Sequence, residues 1–310
     1  MNNYNLTIAI PTKDRYELLY NLLESLDFQS YTNFLVLIID VSDIFREIDC
    51  SIYKLKIEHH RFKYPNLPYQ RWEAINKCKT KYIGFLDDDV TLPQNYLDAI
   101  MKHLMLPDSS LGGVTGWLED VPKIKKSKLI RFKRNLSGLS KFRGGLVADF
   151  GITIPFIKKP SDICNVDCFQ GPSMFFKTKL LTKYGNIPWL YKLYSQKLGR
   201  AEDIALSGTI RMSGYNLIMI PQISAYHHHL GGGTAISPGG YNKGVADSYA
   251  RFKIASIFVK KWNTFALLKI LWWMFISHLF LNKNIFKDFS YVLGLFNGIK
   301  MIFKDLNKNN

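Results

Sequence analysis

The sequence is poor in the residues that build covalent or metal cages. Its four cysteines, Cys50, Cys78, Cys164 and Cys168, include no CxxC pair. Cys164 and Cys168 also lack a second Cys/His pair at zinc-finger spacing, so neither a structural zinc site nor a disulfide framework organises the chain. Reduced thiols of a cytosolic protein are the reading they favour. Acid is scarce as well: 25 Asp and Glu stand against 41 Lys and Arg, a formal net charge of +16. That excess points to an anionic partner (nucleic acid, lipid headgroup or phosphorylated substrate) without choosing among them. No clean apolar run reaches the roughly 20 residues that a spanning helix needs. A glycine-rich loop followed by lysine is missing near the N-terminus, which argues against a P-loop. Leu6–Ile10 is too short for the core of a signal peptide and runs straight into Pro11. Internal repeats are absent.

What is present reads as strand–helix–strand alternation. Leu6–Ile10 is an apolar, β-branched run closed by Pro11-Thr12, and a helix follows with Leu18, Leu19, Leu22, Leu23 and Leu26 at helical spacing. Phe34–Ile39 is a second continuous apolar strand, ending at Asp40-Val41-Ser42-Asp43. A helix over Tyr69–Cys78 leads to a third strand, Tyr82–Leu86, which stops at Asp87-Asp88-Asp89. Fully apolar strands in this order predict a parallel sheet covered on both faces. Ligands bind such sheets at the carboxyl ends of the strands, where all three runs turn polar or acidic. Strand character returns at Met174–Phe176 and Ile218–Ile220, and Glu202-Asp203 opens a helix over Ile204–Met212.

Three segments stand apart. Val121–Arg143 carries nine Lys and Arg and no acid among them; it is either a solvated loop or a surface that meets phosphate or anionic lipid. Gly231–Gly244 is glycine-rich and reads as a flap beside a site or a plain linker. In the last sixty residues, Phe265–Leu281 and Phe289–Phe303 are apolar, aromatic and bracketed by lysines. They suit helices lying in a membrane interface, with docking on the preceding domain as the alternative and a spanning helix third.

Consecutive aspartates at the end of a buried strand repel one another and raise one another's pKa unless a cation neutralises them. A hard divalent ion, held by one or two carboxylates and completed by substrate phosphates, removes that cost. Glu202-Asp203 has two readings: acids that merely suit a helix N-terminus, or a general base. Of Tyr226-His227-His228-His229, His227 and His229 share a strand face, so at most those two can point into one site.

These residues resemble a family. Ile10-Pro11-Thr12-Lys13-Asp14-Arg15, then Asp40-Val41-Ser42, then Arg71 ahead of Tyr82–Asp89, then Glu202-Asp203 with Gly214-Tyr215 behind it, look like the inverting glycosyltransferases of the GT-A fold, glycosyltransferase family 2. The likeness covers roughly residues 6–230; Val41 departs from it, where the family often has a second aspartate. It implies an α/β fold, a Rossmann-like mixed sheet flanked by helices, with a catalytic domain over 1–245 (nucleotide-sugar half about 1–115, acceptor half about 116–245); composition adds an amphipathic, membrane-associated helical region over 246–310. It also implies roles. Pro11, Thr12 and Arg15 would line the nucleoside and Asp40 would bond the pyrimidine. Arg71 would lie near the base or phosphates, and Asp87 and Asp88 would contact the nucleotide sugar. Asp89, with His227 or His229, would bind Mn2+ or Mg2+, and Asp203 would be the general base.

The expected activity is transfer of a sugar from a UDP- or dTDP-sugar, with inversion, to a saccharide or lipid-linked saccharide in cell-surface polysaccharide synthesis. The expected setting is the inner face of the cytoplasmic membrane, against anionic lipid and without nucleic acid as partner. The rivals are a nucleotidyltransferase-type enzyme, a basic nucleic-acid-binding protein, and a non-catalytic membrane-surface scaffold. The second lacks aromatic–basic interleaving beyond Phe132 and Phe142 and leaves the acidic clusters unexplained.

Overall fold

A twisted sheet runs through the middle of the protein with helices against both faces. The structure is a computed structural model that describes residues 4–120, 144–147, 153–156, 158–228, 240–258, 272 and 289–306. In chain order its elements begin with β1 (Leu6–Thr12), α1 (Tyr16–Asp27), β2 (Phe34–Asp40), β3 (Lys56–Arg61), α2 (Leu67–Lys77), β4 (Tyr82–Leu86), β5 (Val90–Thr91) and α3 (Tyr96–Leu104). There follow β6 (Leu111–Asp120), β7 (Cys164–Val166), β8 (Ser173–Lys177), α4 (Thr178–Tyr184), α5 (Pro188–Ser195), α6 (Glu202–Met212) and β9 (Asn216–His227). Two long helices, α7 (Gly240–Phe258) and α8 (Phe289–Leu306), come last. Val121–Arg143, His229, residues 231–239 and, apart from Trp272, Phe265–Leu281 lie outside the described residues.

The sheet order is β3-β2-β1-β4-β8-β6-β9-β5, with β7 also on β9. The first four of these strands are parallel. Their apolar runs serve two layers at once, because successive side chains alternate faces. Leu6, Ile8, Ile10, Val36 and Ile38 pack with Leu19, Leu22, Leu23 and Leu26 of α1 and with Leu97, Ile100, Met101 and Leu104 of α3. Ala9, Leu37, Ile39, Ile83 and Phe85 pack on the other side with Ala74 and Ile75 of α2 and with Leu206 and Ile210 of α6. Each such leucine stabilises the fold by about 1.5–3 kcal/mol relative to exposure.

Beyond β4 the sheet is mixed: β8 runs antiparallel to both β4 and β6, while β6 and β9 are parallel. The strand expected at Ile218–Ile220 extends through Pro221 to His227. The register against β6 jumps from Gly116↔Ile220 to Trp117↔Ser224, so Pro221, which has no N–H to donate, falls in an irregularity rather than in the ladder. That extension carries His227 to the strand end beside the aspartates. The helices α7 and α8 cross with their backbones touching, since a Cβ on Gly244 or Gly294 would collide with main-chain atoms of the other helix. No described helix is long and apolar enough to cross a membrane.

Candidate active site

The acidic run leaves β4 where β1 and β8 hold that strand on both sides. Asp88 is fully buried and works inward: Thr12 Oγ1 donates to its Oδ2 at 2.7 Å, and Arg15 donates to both carboxylate oxygens. Burial pushes its pKa up to about 6 even with the guanidinium opposing. Arg15 also reaches Asp89 Oδ2 at 3.3 Å, so one side chain spans two of the three acids. Pro11 and Thr12 are buried in β1, and Gln70 fixes that strand end by donating to Thr12 O and Ile39 O.

Asp89 meets the end of β9. Its Oδ1 is buried and, among the described residues, accepts no well-formed hydrogen bond, with His227 Nε2 3.3 Å away. Burial opposes ionisation of Asp89, but His227 and Arg15 outweigh it and hold the pKa below the usual carboxylate value. Asp120 at the end of β6 stands 3.9 Å from His227 Nδ1. His228 points elsewhere, to Thr91 Oγ1 at 2.9 Å, while its N–H donates to Asp89 O. Strand alternation thus separates the two histidines. Among the described residues no group of three His, Cys, Asp or Glu side chains is placed to hold a metal ion by itself. An orphaned carboxylate oxygen beside an imidazole nitrogen does fit an open site whose remaining ligands come from a substrate.

Asp40 is set apart. It is 0% exposed, and its oxygens accept from Tyr16 Oη at 2.6 Å and from the Ser42 N–H at 2.7 Å, with His59 Nε2 3.0 Å from Oδ2. Burial raises its pKa, but those hydrogen bonds overcome it and keep the group ionised. Its carboxylate organises the end of β2 from below.

The second acidic cluster comes from α6, and Arg71 joins it to the first. Its guanidinium, 3% exposed, donates to Asp87 Oδ1 at 3.1 Å, Glu202 Oε1 at 3.1 Å and Gly171 O at 3.2 Å. Tyr194 Oη donates to the other oxygen of Glu202. Asp203, next along, accepts from the Gly171 N–H at 2.9 Å and the Ile204 N–H at 2.8 Å. Burial and the neighbouring Glu202 push its pKa up to about 7. It borders a cavity of about 200 Å³ whose walls include Trp117, Phe156, Cys168, Gln170 and Ser173. A carboxylate poised near neutrality at the wall of a cavity is suited to taking a proton from a bound hydroxyl.

Sequence reasoning missed Tyr16, His59, Asp120, Gly171 and Tyr194. Tyr194 sits in an ordinary-looking helix, and Gly171 contributes backbone atoms only, so neither leaves a compositional signal. Asp120 ends a strand that the sequence reading passed over.

The chain matches the family model described as "Glycosyl transferase family 2" over residues 7–180. Among solved structures it is similar to S. aureus TarS 1-349 in complex with UDP, at 13% identity and TM-score 0.54, covering 90% of this chain and 73% of that one. It is also similar to the mannosyltransferase PcManGT from Pyrobaculum calidifontis in complex with GDP-Man and Mn2+, at 14% identity and TM-score 0.52, covering 96% and 88%. A third likeness is to GalNAc-T7 with UDP, GalNAc and Mn2+, at 13% identity and TM-score 0.54, covering 76% and 45%. At such identities these likenesses establish a shared fold, that of GT-A glycosyltransferases. No curated protein matches by sequence.

Proposed function

The chain belongs to glycosyl transferase family 2 and is a glycosyltransferase; from that premise we propose that it moves a sugar, with inversion and with a divalent metal, from a UDP- or dTDP-sugar to a saccharide or lipid-linked saccharide. The observation that carries this reading is the single buried Arg71 clamping Asp87 of the first acidic cluster to Glu202, the neighbour of Asp203. It ties the end of β4, read here as the phosphate side, to the head of α6, read here as the proton-accepting side.

Asp203 takes the proton of the acceptor hydroxyl held in the cavity beside it, and its raised pKa suits that role near neutral pH. Gly171 N–H and Ile204 N–H fix the carboxylate against rotation. Asp87, with a side chain 25% exposed, contacts the donor. Arg15 and Arg71 supply fixed positive charge near the leaving diphosphate, where it counts most in a buried site. Asp40 acts on the nucleobase indirectly, by fixing Tyr16 and Ser42. Asp89 and His227 are the residues that would hold Mn2+ or Mg2+. Such an ion would neutralise charge on the departing diphosphate.

The neighbours' complexes with UDP, GDP-Man and Mn2+ support a nucleotide-sugar donor and a divalent ion. A peripheral place on the inner face of the cytoplasmic membrane, in cell-surface polysaccharide synthesis, is part of the same proposal. It is supported by the +16 charge and by Phe289, Leu293, Phe296 and Phe303, exposed on α8 together with Lys300 and Lys304.

The test is nucleoside diphosphate release from a panel of UDP- and dTDP-sugars, with Mn2+, Mg2+ or EDTA, and NMR assignment of the product's anomeric configuration. Metal-dependent release with inversion is expected. Retention of configuration, or equal rates in EDTA, overturns the corresponding part.

A further inference from the structure

The helix that carries Glu202 and Asp203 starts without a cap. Its N-cap is Ala201, which makes no side-chain capping bond and sits at φ 62°, ψ 28°. A residue with a Cβ disfavours that left-handed conformation, so something outside the turn must hold it.

On the C-terminal side of the turn, Arg71 and Tyr194 grip Glu202. On the N-terminal side the grip comes from far along the chain. Arg200 NH1 lies 2.8 Å from Asp247 Oδ1, in the middle of α7. The Asp247 side chain is 10% exposed, and its other oxygen accepts from Tyr291 Oη of α8 at 3.0 Å. One terminal helix therefore supplies the carboxylate and the other orients it.

The surrounding packing makes this a seated contact. Leu193 and Leu198, just before the turn, are buried with Val245, Ala246, Tyr249 and Ile302 of the terminal helices. Phe258 of α7 presses on Gly208 of α6 so closely that a Cβ there would not fit. The Arg200 side chain, 36% exposed, is a charged strap between this packing and the strained turn: it starts one residue before Ala201 and ends on a buried acid.

We propose that Asp247 is a positioning residue for catalysis: through Arg200, and steadied by Tyr291, it holds Ala201 in the left-handed turn that sets Asp203 against Gly171 and the cavity. The terminal helices α7 and α8 thereby complete the catalytic site, whatever else they contact. This rests on the reading of Asp203 as the acceptor-side base.

The experiment uses the full chain and compares Asp247→Asn, Asp247→Glu, Arg200→Met and Arg200→Lys with Asp203→Asn. Turnover is read as UDP release from UDP-sugars, donor-site affinity by titration with UDP, and folding by thermal melting. Asp247→Asn and Arg200→Met are expected to lower kcat about 10–100-fold, the scale of an ångström-level misplacement. UDP affinity should stay within about twofold, since the donor side is untouched. Asp247→Glu and Arg200→Lys should recover much of the lost kcat by restoring the ion pair. A merely structural strap would lower the melting temperature while the folded enzyme kept its kcat. Should Asp247→Asn fail to fold, the half-exposed Arg200 provides the same test with α7 and α8 undisturbed. Wild-type kcat in Arg200→Met or Asp247→Asn, with Asp203→Asn inactive, overturns the positioning role alone. Wild-type kcat in Asp203→Asn removes the base, and this inference with it.

Discussion

The two acidic clusters are built on opposite principles. At the end of β4, charge is matched locally: Asp88 has Arg15 and Thr12, and Asp89 has Arg15 and His227. Those partners hold the pKa of Asp89 down despite burial, while the more deeply buried Asp88 still rises to about 6. At the head of α6 the only cation among the described residues that touches an acid is Arg71, which Glu202 and Asp87 share. Asp203 itself has backbone N–H groups and, among the described residues, no side-chain cation bonded to it, and its pKa rises to about 7. Matched charge of the kind around Asp89 suits a carboxylate that must stay ionised next to phosphate. Unmatched charge suits a carboxylate that must exchange a proton.

The comparison predicts different losses on its two sides. Asp89→Asn should abolish both transfer and manganese-dependent nucleotide binding, because it removes a hard ligand from the donor side. Isothermal titration with UDP, with and without Mn2+, checks this, and wild-type turnover would remove Asp89 from the metal site. Asp203→Asn should leave UDP affinity near normal and lower kcat by about 10²–10⁴.

The same residue gives the comparison a pH signature. Turnover of the wild type should fall as pH drops through about 7, where Asp203 gains its proton. For stability the sign runs the other way. A carboxyl whose folded pKa is raised contributes fully below its ordinary value near 3.8, and the contribution is lost as pH rises through about 7. At pH 8, Asp203→Asn should therefore melt no lower than the wild type, and a clear fall in melting temperature would mark Asp203 as a helix-capping acid instead.

Arg71→Met probes the link between the clusters. It strands Asp87 and Glu202 without their shared cation, and the cost should be about 3 kcal/mol in denaturant unfolding. A loss well under about 1 kcal/mol would mean the acids relax to solvent. Smallest of all is His228→Ala, which removes a bond to Thr91 and should leave manganese dependence nearly intact, whereas His227→Ala should weaken it. Equal effects on the metal titration would contradict the separation of the two rings by strand alternation.

The parallel half of the sheet was legible because its strands are buried on both faces and so read as unbroken apolar runs: Leu6–Ile10, Phe34–Ile39 and Tyr82–Leu86 each fall inside an observed strand. The mixed half was less so. Nor was the edge strand of the parallel half, β3 (Lys56–Arg61), where Ile57 is the one apolar residue among charged residues and histidines; in the mixed half β6 opens with Leu-Gly-Gly, where glycine signals a turn unless neighbouring side chains fill the space above it. Phe169 and Phe176 fill it at Gly113. β9 reads as three residues because Pro221 interrupts it, and only the register shift against β6 lets the strand continue.

By itself the sequence determined the chemistry available at each element end: three acids after β4, an acid pair opening α6, and histidines after an apolar run. It also fixed the order in which they come, which is what the family likeness reads. The tertiary structure alone decided which of them meet. Asp88 and Asp40 carry the same group as Asp89, yet they are turned inward to Thr12 and Arg15, and to Tyr16 and His59. Arg71 finds Glu202 across 131 positions of chain, and Asp247 finds Arg200 from a helix beyond the family match. Those pairings depend on long-range burial, in which an unpaired charge costs far more than it would in water. Periodicity and spacing report only on neighbours within a few residues, so such pairings leave no mark in them.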